Sequence, residues 1–84
     1  MSLHYTKERD QEMAQAAYAA VASVPTLEPN DRNRLGYHVW LYLRGELATL
    51  EEAVRMARAR YVPRELPIED VVQLIDVGLS KTTA

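Results

Sequence analysis

The chain contains no cysteine and no phenylalanine, and only three glycines, four prolines and one tryptophan. Without cysteine there are no disulfides, no thiolate chemistry and no cysteine metal sites, which agrees with a reducing, cytoplasmic compartment. Without phenylalanine, and with eleven alanines among its hydrophobic residues, the chain has little bulky material for a core. Three glycines are too few for a glycine-rich phosphate loop. A net charge of −2 leaves no global basic field to attract nucleic acid or an anionic membrane. No apolar run approaches the ~18 residues of a membrane span, and no signal-peptide pattern is visible, so no membrane partner is expected.

What is present fits one small helical domain, residues 1–84, with residues 1–5 and 80–84 as flexible tails. Met1-Ser2-Leu3 lies outside the fold argument as either native sequence or an expression scar. At 84 residues the expected radius of gyration is roughly 12 Å. The core of so short a chain is thin, and a thin core without disulfide staples often gains stability by oligomerising.

Prolines divide the chain into four segments, predicted as helices at about 6–24, 31–44, 49–62 and 67–77. In the first, Thr6 is a plausible N-cap. Met13, Ala16, Ala17, Ala20 and Val24 recur at helical spacing among alanines, the best helix formers. Pro25 and Pro29 then disfavour helix in the residues before them. The third segment opens on Thr49-Leu50-Glu51-Glu52, a capping box in which Glu52 can bond back to the amide of the cap. Its apolar stripe is Leu50, Ala53, Val54, Ala57 and Tyr61, flanked by the i,i+4 pair Glu51 and Arg55, and Pro63 ends it. The fourth starts at Pro67, suited to a first helical position. Its stripe is Ile68, Val71, Val72, Ile75 and Leu79, and Gly78 is placed as the residue that terminates it.

The second segment, RLGYHVWLYLRGEL at 34–47, has two readings. As a strand it would carry large apolar groups on both faces. No other segment could pair with it, except the same strand of a second copy. As a helix it is capped by Asn30 or Asp31 and has Gly45 just past its end. Gly36 inside then costs about 1 kcal/mol relative to alanine, acceptable where the alanine-rich first helix comes close. The helix is the better reading. At about 100° per residue it is apolar around most of its circumference. Leu35, Val39, Tyr42 and Leu43 form one face, with Trp40 to one side and Leu41 and Tyr37 to the other. Asn33, Arg44 and the phenol of Tyr37 are its polar strip. Such a helix is either covered by three neighbours within one bundle or left open along Tyr37, Trp40 and Leu41 to a second subunit. Aromatic residues are enriched at protein interfaces, and the predicted assembly is a homodimer.

Catalysis has little support. His4 sits in a tail, and His38, on the apolar helix, reads as a packing histidine. Glu51-Glu52 and Glu69-Asp70 fall in first turns, where carboxylates complement the helix dipole. No spacing suggests a metal site, so no catalytic, cofactor or metal residue is assigned. Arg55, Arg58, Arg60 and Arg64 form the one basic cluster, and eight of the ten basic residues are arginine, the side chain suited to bidentate phosphate contacts. They carry the alternative reading, a DNA- or RNA-binding regulator with 49–61 as recognition helix. Against it, recognition helices present their N-terminal residues to the groove, and here those are Glu51 and Glu52. The expectation is therefore a non-catalytic interaction or regulatory module, partnered by itself and by another protein.

Overall fold

The computed structural model describes residues 7–25, 27–58 and 66–83, and within them the chain forms four helices. They are α1 (Lys7–Val21), α2 (Pro29–Leu43), α3 (Leu50–Arg58) and α4 (Ile68–Thr83). Among the described residues there is no strand. The all-α class is as the periodicity predicts, and residues 34–43 are helical rather than extended. The radius of gyration is 12.3 Å.

The helix ends show which local forces prevail. α1 stops at Val21 instead of Val24. Its last turn tightens, with Ser23 N–H bonding to the Ala20 carbonyl at 3.1 Å and Val24 N–H to the Val21 carbonyl at 3.0 Å. Pro25 keeps Val24 out of the helical region, yet Val24 stays buried in the core. α2 begins two residues earlier than expected, at Pro29. The cap is Glu28, extended and with no side-chain bond, so neither Asn30 nor Asp31 caps. Proline at the first helical position lacks the amide that would otherwise be orphaned and has φ pre-set for the helix.

The C-terminus of α2 follows expectation. Gly45 has φ +85°, Gly45 N–H bonds to the Tyr42 carbonyl at 3.0 Å, and Glu46 N–H reaches the Leu41 carbonyl at 2.9 Å. These two bonds are the Schellman closure, which needs a left-handed residue where glycine stands. α3 has the capping box, with one change. Glu52 N–H donates to Thr49 Oγ1 at 3.1 Å, but Glu52 Oε1 accepts from Ala48, one residue before the cap, at 3.1 Å. The proposed cap at Thr6, and the end of α3 with Tyr61 and Pro63, lie outside the described residues.

α4 departs furthest from the sequence reading. It starts at Ile68, with the Pro67 carbonyl accepting from Val71 N–H at 3.2 Å. It runs through Gly78 to Thr83, so residues 80–83 belong to the helix and not to a tail. Gly78 does not terminate it. A Cβ at position 78 would lie 2.8 Å from Ala20 Cα, so glycine stands there to let the α1 and α4 backbones touch.

The core is wholly aliphatic, and no polar or charged residue is buried among the described residues. It consists of Ala16, Ala17, Ala20 and Val21 from α1, Leu35 and Val39 from α2, Leu50, Ala53, Val54 and Ala57 from α3, and Val71, Ile75 and Leu79 from α4. Val24 and Leu27 close it from the first connection. The helices form a closed ring in which α1 packs on α2 and α4, and α3 packs on α2 and α4. Among the described residues the diagonal pairs, α1 with α3 and α2 with α4, make no close backbone approach and face each other only through the shared core.

Candidate functional site: the outer face of α2

Among the described residues α2 comes into close backbone contact with α1 and α3, and it buries only Leu35, Gly36 and Val39. α4 faces α2 only across the shared core, and one side of this apolar helix faces outward. Its register against α1 is fixed at two points. Asp10 of α1 meets Arg44 near the end of α2, and the Tyr18 ring lies over Gly36, where an added Cβ would fall within van der Waals contact of its Cδ1 and Cε1 atoms. The two helices are therefore antiparallel. The neighbour of Gly36 is α1, as expected, but the close approach is made by a tyrosine ring and not by the α1 backbone.

The outward side carries Tyr37, Trp40 and Leu41. Tyr37 is 47% exposed, while Trp40 and Leu41 are half-buried. The Tyr37 and Trp40 rings are tilted at 49° with centroids 5.8 Å apart, and Tyr37 meets His38 edge-on at 5.7 Å. The other side of Trp40 packs against the core. Its Nε1–H is enclosed and donates to no protein acceptor. Arg44 lies over the indole with its guanidinium carbon 4.5 Å from the ring centroid, a cation–π contact worth about 0.5–1 kcal/mol at such a site. Its Nε also stands 3.3 Å from Glu46 Oε2 and 3.7 Å from Asp10 Oδ1. Arg44 is thus no mere polar strip. It roofs the tryptophan and ties the end of α2 to the start of α1. The i,i+4 spacing of Trp40 and Arg44 is the sequence signal for this contact.

The other candidate residues are placed as follows. His38 Nδ1 lies 2.9 Å from the Arg34 carbonyl, one turn back on the same helix, a contact that secures the ring and leads to no reacting group. Glu51, Glu52, Glu69 and Asp70 occupy first helical turns. Among the described residues no three of His, Cys, Asp or Glu converge as metal ligands, and no helix is long and apolar enough to cross a membrane.

In the basic cluster, both Arg55 Nε and Nη2 donate to Glu51 Oε2, at 3.0 and 2.7 Å, so its fork is already occupied. Arg58 is half-buried and also engaged within the protein. Arg60 and Arg64 lie outside the described residues. Compared with protein-family models, with curated proteins and with solved structures, the chain matches none.

Proposed function

We propose that this protein is a non-catalytic protein–protein interaction or regulatory module that acts as a homodimer through Tyr37, Trp40 and Leu41. The observation that carries the reading is Tyr37, 47% exposed beside half-buried Trp40 and Leu41, on the outward side of α2. Large rigid aromatic groups yield much contact area for little lost side-chain freedom, which is why they anchor interfaces. Two-fold pairing of one such face is the commonest form of assembly. The absence of cysteine suits a cytoplasmic setting. The nucleic-acid alternative is weakened by the pairing of Arg55 with Glu51.

Light scattering tests the reading. At ~100 μM the mass should be twice the 9.6 kDa of one chain, because assembly follows protomer concentration. Leu41→Glu should give a monomer. Tyr37→Ser, at an exposed position that folding does not need, should raise the dissociation constant while the helical circular dichroism stays unchanged. A wild-type monomer at that concentration would overturn the proposal.

A further inference from the structure

A different surface, on the far side of the ring from α2, has features that α2 lacks. α4 is flanked by two grooves, each of ≈ 390 Å³. The groove towards α3 has Ile68 and Val72 at its base, with Glu51, Glu69 and Asp76 around it. The other is more apolar, formed by Leu66, Leu74 and Val77 with Asp70 at its edge. Gln73 borders both. Val77 is 47% exposed.

Among the described residues the charge lining these grooves is all of one sign, with no basic side chain. Glu51 is satisfied by Arg55, but Glu69, Asp70 and Asp76 form no ion pair among the described residues. In the first turn, Glu69 and Asp70 are accounted for by the helix dipole, which favours carboxylates there. Asp76 lies beyond that turn, so the dipole does not explain it.

We propose that the outer face of α4 docks a cationic amphipathic helix of a partner protein. Apolar side chains at i, i+3/i+4 and i+7 would enter the groove of Leu66, Leu74 and Val77, while Lys or Arg would meet Asp70 at that groove and reach across Gln73 to Glu69 and Asp76. The charge selects this occupant. Nucleic acid and anionic lipid are repelled by the carboxylates, and the thin methylene spacers of a polyamine fill a groove of this size poorly compared with the side chains of a helix. Such complementarity speeds encounter and excludes wrong partners more than it adds affinity. The proposal is independent of the α2 dimer, because α2 and α4 stand at diagonal corners of the ring.

A synthetic amphipathic helix of about 14 leucine and lysine residues, long enough to follow ~20 Å of α4, is the probe. Its control is the same peptide with glutamate in place of lysine. Titrated into ¹⁵N-labelled protein, the lysine peptide should shift amides of α4, most around Asp70, Leu74 and Val77, and the glutamate peptide should shift none. Glu69→Lys with Asp76→Lys should weaken binding roughly tenfold at low salt, and less at high salt, where exposed charges are screened. Val77→Ser, which leaves the charge unchanged, should weaken it several-fold. All three positions are exposed, so the fold should persist, as circular dichroism will verify. Equal binding of the two peptides, shifts scattered over the whole surface, or unchanged affinity in Val77→Ser would each overturn the proposal.

Discussion

Ala20 Cα lies where a side chain at position 78 would have to begin, 2.8 Å from the Cβ that any residue but glycine would place there. Ala20 Cβ and its carbonyl oxygen are each 3.1 Å from the same point. Backbone cannot swing aside as a flexible side chain can, so the two helices would have to separate. Gly78→Ala should therefore destabilise the fold, by up to about 2 kcal/mol. That is the overpacking cost reduced by alanine's advantage of about 1 kcal/mol in a helix. A lower urea midpoint with an unchanged m-value is the expected result.

Gly36→Ala provides the contrast. The atoms in its way belong to Tyr18, which is 39% exposed and can rotate towards solvent. Loss of that cover and the gain in helix propensity oppose one another, so the net change should stay within about 1 kcal/mol. A fall as large as that of Gly78→Ala would show that Tyr18 is anchored.

Thr49→Ala removes the acceptor for the Glu52 amide and should cost about 1 kcal/mol. Glu52→Ala should cost less, because the Ala48 amide it leaves is in an exposed residue and water can replace the bond. Midpoints in urea measure both.

The Glu51–Arg55 pair is short, at 2.7 Å, but its side chains are 54% and 61% exposed. A double-mutant cycle should give a coupling of about 0.3–0.5 kcal/mol, fading in 1 M salt as the charges are screened.

Arg55 and Arg58 should not support nucleic-acid binding. A mobility assay with generic DNA or RNA at ~0.15 M salt should show no complex. Micromolar binding that is lost on Arg55→Glu with Arg58→Glu would replace the interaction-module reading with the nucleic-acid one.

Local chemistry was legible in the sequence where a residue has one plausible local use. Thr49 with Glu52 marks a cap, and Gly45 behind an apolar helix marks a left-handed stop. The stripes of α3 and α4 follow from spacing alone. Gly78 was not legible in that way, because a missing side chain serves a turn and a tight crossing equally well, and only the position of Ala20 separates them. Pro29 likewise reads as a break until the chain is seen to start a helix on it. Residues Tyr37, Trp40 and Leu41 could be placed on one side of α2 from a helical wheel. How many neighbours α2 has could not, since that depends on the ring order of four helices. The α4 face is the least visible from sequence, because Glu69, Asp70 and Asp76 look like any solvated surface until the grooves beside them are seen.

The ring order also bears on how the molecule assembles itself. Three of its seams join helices consecutive in the chain, while the fourth, α1 against α4, joins the two ends. Local seams need only short loops to close, the property that makes helical bundles fold within microseconds to milliseconds. The end-to-end seam must bear the entropy of closing nearly the whole chain, so it is expected to form after the transition state. Gly78→Ala should then leave the refolding rate almost unchanged and speed unfolding. The crossing of α1 and α4 at Gly78 would act as a clasp, setting how long the folded state lasts and not how quickly it is reached.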